Sequence, residues 1–137
     1  MDIKLQNCYL CVDDHERAIG FYRDAMGFEV RMDVGANTMR WVTVGPPSQP
    51  DVNIVLGPAA PESGTSPSDR AAISDLLAKG LLGFLVFTTD DCDAAFERIQ
   101  ATGADVIQEP MDQAYGVRDC AFRDPAGNHI RINQPRG

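Results

Sequence analysis

Residues 115–132, YGVRDCAFRDPAGNHIRI, decide how the rest of the chain is read. Asp124-Pro125-Ala126-Gly127-Asn128 has the composition of a turn, with Pro restricting φ and Gly and Asn tolerating positive φ. His129-Ile130-Arg131-Ile132-Asn133 then alternates polar and apolar, the pattern of a half-buried strand. Ile130 and Ile132 share one face. His129, Arg131 and Asn133 share the other, which meets either water or a ligand.

The pattern has a counterpart earlier in the chain, where VNIVL from Val52 matches NHIRI from Asn128. Working outward from this pair, Gly27-Phe28-Glu29-Val30 matches Gly103-Ala104-Asp105-Val106, Ala18 matches Ala95, and Asp13-Asp14 matches Asp90-Asp91. The offset stays at 76 or 77 throughout. Alternation predicts strands at 3–12, 28–34, 38–45 and 51–57 in the first copy, and at 82–89, 104–108, 115–123 and 128–133 in the second. Each copy places a helix after its first strand. In the first, Asp13 is the expected cap, Glu16 stands three residues later, and Gly27 ends the helix. In the second, Asp90-Asp91 opens the helix and Gly103 stops it. Strand, helix and three strands, repeated, is a far more specific signal than either half alone. Between the copies lies GPAAPESGTSPSDR, followed by a helix PSDRAAISDLLAK with Ser66 as cap and Gly80 as stop.

The chain of 137 residues suffices for one domain with a real core: module one 1–57, a linker with helix 58–80, and module two 81–134. A 44% hydrophobic and 23% charged composition is that of a soluble globular protein. No apolar run reaches the roughly 18 residues of a membrane span. Met1-Asp2-Ile3-Lys4 lacks signal-peptide character, which leads us to expect a cytoplasmic protein with reduced thiols. A net charge of −8 argues against nucleic acid or an anionic membrane as partner. Cys8-Tyr9-Leu10-Cys11 is formally a CxxC. Inside an extended pattern, however, residues three apart point to opposite faces, and the expected reading is two small buried side chains rather than a redox or zinc motif.

The stretches VDDHERAIGFYRDAMGFEV, TTDDCDAAFERIQATGADV and YGVRDCAFRDPAGNHIRI resemble the vicinal oxygen chelate superfamily, the glyoxalase, bleomycin-resistance protein and extradiol dioxygenase group. The last of them is similar to the family's FxDPdGNxIEL ending. The resemblance implies an α+β fold in which two βαβββ modules form a cup-shaped, partly closed mixed sheet with helices outside. It also implies a homodimer, often with modules paired across chains. Family enzymes hold a divalent metal in the cup through a first-strand and a last-strand ligand from each module, typically His and Glu. Carried over residue by residue, these positions are Asn7 and Val55 in module one and Phe84 and Arg131 in module two. Valine and phenylalanine cannot coordinate, and Arg131 brings a fixed positive charge. No metal and no other cofactor is therefore expected. A substitute site built from His129, Asp119 or Glu109 has no spacing signal behind it.

The same assignment makes Asn7, Tyr9, Cys11, Asn53, Val55, Phe84, Val86, Thr88, His129 and Arg131 the expected wall of a ligand site, with Tyr115 at its rim. Leu10, Val12, Leu85, Phe87, Ile130 and Ile132 are the expected core. Trp41 stacks on a flat ligand or fills core, since strand parity does not choose. Arg131 either pairs with a neighbour such as Asp119, snorkels to the rim, or clamps a ligand anion. His129, Arg131 and Tyr9 are the catalytic candidates should there be catalysis. Three functions follow: a metal-free protein that binds or sequesters an aromatic or anionic metabolite or antibiotic; a glyoxalase-like lyase or isomerase, or a dioxygenase-type enzyme; and a structural homologue with an empty cup.

Overall fold

A computed structural model describes residues 1–36, 40–57 and 66–135. Residues 38 and 39 of the expected third strand, and 58–65 of the expected linker, lie outside the described residues. The chain divides into two compact units, Met1–Asp75 and Leu76–Gly137.

In the first unit, β1 (Asn7–Cys11) leads into α1 (His15–Ile19), which widens into a π-helical segment, Gly20–Ala25. Strands β2 (Glu29–Val34), β3 (Trp41–Gly45) and β4 (Asn53–Gly57) follow. They form a four-stranded sheet in the order β1-β4-β3-β2, with β1 parallel to β4 and the other pairs antiparallel. The second unit repeats this with β5 (Phe84–Thr88), α3 (Cys92–Gln100), β6 (Asp105–Asp112), β7 (Val117–Arg123) and β8 (His129–Pro135), in the order β5-β8-β7-β6. Each unit is thus a βαβββ module, as the repeat predicts. The parallel registers of the two modules correspond: Asn7 pairs with Asn53 and Tyr9 with Val55, while Phe84 pairs with His129 and Val86 with Arg131. Helix α2 (Pro67–Ala78) runs across the boundary between units. Ser66 Oγ accepts from Asp69 N at 3.1 Å, and Gly80 follows the helix at φ +75°.

Boundaries differ from the sequence expectation at the first helix cap and at several strand ends, most of all those of β1 and β6. The helix caps are Asp14 and Asp91, whose extended backbones let their side chains accept from Arg17 N at 3.1 Å and Ala94 N at 3.0 Å. Asp13 lies one residue too early to reach that amide. β1 begins at Asn7 rather than residue 3, because its partner β4 offers backbone only from Asn53 onward, and Ile3 and Leu5 remain exposed. β6 continues through Pro110 to Asp112. It is an edge strand with two register shifts, where a residue without an N–H is tolerated.

Alternation places the core as expected on the helix side of each sheet. Leu10, Val12, Val42, Val44, Ile54 and Leu56 are buried with Ala18, Ile19 and Tyr22 in the first unit. Ile130, Ile132 and Phe122 are buried with Cys92, Phe96 and Ile99 in the second, where the Phe96 and Phe122 rings stack at 5.2 Å. Leu85 and Phe87 are half-buried.

The DPAGN turn is held by one carboxylate. Buried Asp124 accepts through Oδ1 from the amides of Ala126 at 3.0 Å, Gly127 at 3.0 Å and Asn128 at 2.9 Å, and through Oδ2 from Asn128 Nδ2 at 2.9 Å. Gly127 sits at φ +113°, and a Cβ there would run into the Leu77 carbonyl at the end of α2. The turn thereby starts β8 and docks the helix terminus. Asp124→Ala leaves the Ala126 and Asn128 amides without their acceptor, while Gly127 N keeps the Asp124 carbonyl at 3.0 Å, and we expect a loss of about 2–4 kcal/mol in urea unfolding. An unchanged midpoint would show that the turn is held by other contacts.

Candidate functional site

In the second unit the β8 side chains that do not face α3 are His129, Arg131 and Asn133. Register brings Phe84, Val86 and Thr88 of β5 beside them on one flank, and Arg123, Ala121 and Asp119 of β7 on the other. At the centre is Asp119, fully buried. Its Oδ1 accepts from Gln108 Nε2 at 2.7 Å and Gln113 Nε2 at 2.9 Å. Its Oδ2 accepts from Arg131 Nη1 at 2.8 Å and the Tyr115 hydroxyl at 3.2 Å. Arg131 Nη1 also donates to Gln108 Oε1 at 3.1 Å. Burial pushes the Asp119 carboxyl up, but hydrogen bonds from Gln113, Gln108 and Arg131 and the charge of Arg131 outweigh it and hold the group below its ordinary value. Of the alternatives for Arg131, pairing with Asp119 is the one the structure adopts.

Phe84 and His129 stack with ring centroids 4.4 Å apart and planes 23° apart, and the Phe84 ring is 59% exposed. Burial, then the charges of Arg131 and Arg123, pushes the His129 imidazole below its ordinary 6.5, and its Nε2 is buried without a hydrogen-bond partner among the described residues. Val86 at 51% and Tyr115 at 69% add exposed apolar surface, and Thr88 is exposed at the end of β5.

In the first unit the corresponding face carries Asn7, Tyr9 and Cys11 from β1 and Asn53 and Val55 from β4. Asn53 Nδ2 donates to Asn7 Oδ1 at 3.3 Å, and Arg31 Nη1 donates to Asn53 Oδ1 at 3.1 Å. Val55 is buried on this face rather than forming open wall, paired with Thr43 of β3. Trp41 lies two residues before Thr43 on the same strand face and meets Tyr9 edge-on at 5.9 Å, so it belongs to this face and not to the core. Cys8 and Cys11 pair with Ile54 and Gly57 along β1 and are half-buried rather than buried as expected, because β1 is an edge strand of its sheet; partial burial still pushes both thiols up, the opposite of an activated redox pair.

A family model described as the Glyoxalase/Bleomycin resistance protein/Dioxygenase superfamily matches residues 4–132. The chain belongs to this superfamily. The crystal structure of UcmS2 is 34% identical and matches with a TM-score of 0.87, over 97% of this chain and 98% of that one. The crystal structure of TnmS3, an antibiotic binding protein from Streptomyces sp. CB03234, is 32% identical with a TM-score of 0.75, over 98% of each chain. An uncharacterized protein of Shewanella frigidimarina (strain NCIMB 400) is 31% identical over 122 residues, 87% of this chain and 84% of its own length. The two βαβββ modules therefore have the α+β glyoxalase/bleomycin resistance fold.

The superfamily's metal positions do not fit a metal here. Val55 and Phe84 carry no donor atom, the Asn7 amide oxygen is engaged by Asn53, and Arg131 is a cation held on Asp119. Nor does any group of three or more His, Cys, Asp or Glu come together among the described residues, so His129, Asp119 and Glu109 form no substitute cluster. Sequence reasoning missed Gln108 and Gln113. Only the parity of Asp119, two positions from Ala121 on the strand beside Arg131, hinted at the carboxylate they surround.

The depressed His129 pKa has a signed consequence. The unfolded chain takes up a proton near 6.5 and the folded chain only below that, so the stability of the neutral state is present above 6.5 and lost as pH falls through the native value. The Asp119 contribution is lost only lower, below the ordinary 3.8. Urea midpoints measured from neutral pH down to about pH 5 should fall in wild type and stay level in His129→Gln. An equal fall in the variant would assign the effect to another group.

Proposed function

We propose that this chain is a single-domain, small-molecule-binding member of the superfamily that binds or sequesters an aromatic or anionic metabolite or antibiotic, as a homodimer in the cytoplasm, with no metal at the superfamily's ligand positions. The observation that carries this reading is the set of side chains at those positions, above all Arg131 paired with Asp119 where the family pattern calls for a carboxylate ligand. Two further facts support it. Aromatic side chains stand open on the sheet faces, with Tyr9 at 67% and Phe84 at 59% exposed, a surface that gains roughly 25 cal/mol for each Å² a ligand or second copy covers. TnmS3, an antibiotic binding protein, shares a third of its residues with this chain. No helix among the described residues is long and apolar enough to cross a membrane.

A thermal-shift screen of small aromatic and anionic metabolites tests the proposal, because a ligand of the native state raises the melting temperature. We expect at least one aromatic hit whose affinity drops about tenfold in Phe84→Ala, the loss of one stacking surface. Elemental analysis supplies the opposing result: stoichiometric zinc, nickel, iron or manganese that disappears in Arg131 or His129 variants would overturn the metal-free reading. A monomer in sedimentation experiments would remove the dimer from it.

A further inference from the structure

The exposed aromatic and polar groups of the second unit surround an arginine that is already neutralised. An unpaired Arg131 would be an anion clamp. Instead its Nη1 lies 2.8 Å from the Asp119 carboxylate, and that carboxylate is locked in place by donors on every side: Gln108, Gln113, Tyr115 and Arg131 itself. It cannot swing aside to admit another anion. We propose that Asp119 is the specificity-determining residue of this face, making it a site for an uncharged aromatic ligand that bears a hydrogen-bond acceptor and rejecting the matching anion. The inference rests on the small-molecule reading above and names the class of ligand.

Three observations carry it. Arg131 Nε and Nη2 make no hydrogen bond to any described residue, so two donor groups remain for a neutral oxygen such as that of a ketone, amide or phenol. A ligand carboxylate placed on those donors would lie a few ångströms from Asp119, and two carboxylates at that range repel strongly in a partly buried setting. The surroundings are flat and apolar: Val86 is paired with Arg131 along β5, and the exposed Phe84 ring stacks on His129. His129 adds no charge at neutral pH, since protonating it would put a cation between Arg131 and Arg123 and leave a buried N–H unpaired. The remaining cation of this face, Arg123, is turned away onto the Gly127 carbonyl at 3.2 Å, against Gly80. Around Arg131 the formal charges therefore sum to zero.

Matched probes test the idea: 4-hydroxybenzamide and 4-hydroxybenzoate share a ring and an outline and differ in charge. In NMR titrations of the full chain at neutral pH, the amide should bind at least about tenfold tighter than the benzoate and shift resonances of β5, β7 and β8. In Asp119→Asn the order should reverse, because Arg131 is then an uncompensated cation. Arg131→Gln should weaken the amide about tenfold without admitting the benzoate, and it decides the matter if Asp119→Asn does not fold. Wild type that prefers the benzoate, treats the two alike, or binds neither at millimolar concentration overturns the inference. So does an Arg131→Gln variant with unchanged amide affinity. An anionic hit in the metabolite screen that depends on Arg131 would leave the small-molecule reading standing while removing this one.

Discussion

In each module the first strand lies parallel to the last, and that pairing organises everything else. No hairpin can join parallel neighbours, so the chain must leave β1 or β5 through a helix, return as an antiparallel meander, and place its final strand beside the first. The crossover helix covers one face of the sheet and takes the apolar half of each alternation: Leu10, Ile54 and Leu56 in one module, Ile130, Ile132 and Phe122 in the other. Whatever alternates with them is left on the opposite face. A candidate site in this fold is therefore a by-product of register, and a one-residue slip in either parallel pair would exchange core and site wholesale.

The Asp119–Arg131 pair is the costly element of the second module. A fully buried carboxylate is tolerated only when its acceptor capacity is filled, and here two glutamines, a tyrosine and an arginine fill it. Such a network contributes little to net stability compared with apolar packing of the same volume. What it does achieve is a fixed orientation for Arg131, with one edge of the guanidinium engaged and the other open. At the strand position that the family resemblance carries over as a metal ligand, the strand here holds a cation, with its counter-ion on the next strand.

Much of this was legible beforehand because it follows short-range rules. Period-two alternation around His129 and Arg131, the Asp-Pro-Ala-Gly-Asn turn and the near-constant offset between copies are all local signals, and the modules and the alternation of each strand follow from them. Errors arose where a neighbour in space set the boundary. The strand expected from residue 3 starts at Asn7 because β4 ends its offer there, the cap falls on Asp14 because only its side chain reaches the Arg17 amide, and β6 outruns its predicted end because an edge strand accepts Pro110. Trp41 was undecidable from parity until the pairing of Thr43 with Val55 anchored its strand.

By itself the sequence determined the repeated βαβββ order and the alternation that divides each strand into two faces, since periodicity is a property of the chain alone. It left open what Arg131 does. That was decided by the tertiary structure, because the groups that answer it come from three elements: Asp119 on β7, Gln108 on a β6 whose register shifts twice, and Gln113 and Tyr115 in the hairpin between them. The bulges of β6 destroy the parity from which Gln108 could have been read. The sum of charges around a guanidinium is a property of space and not of spacing.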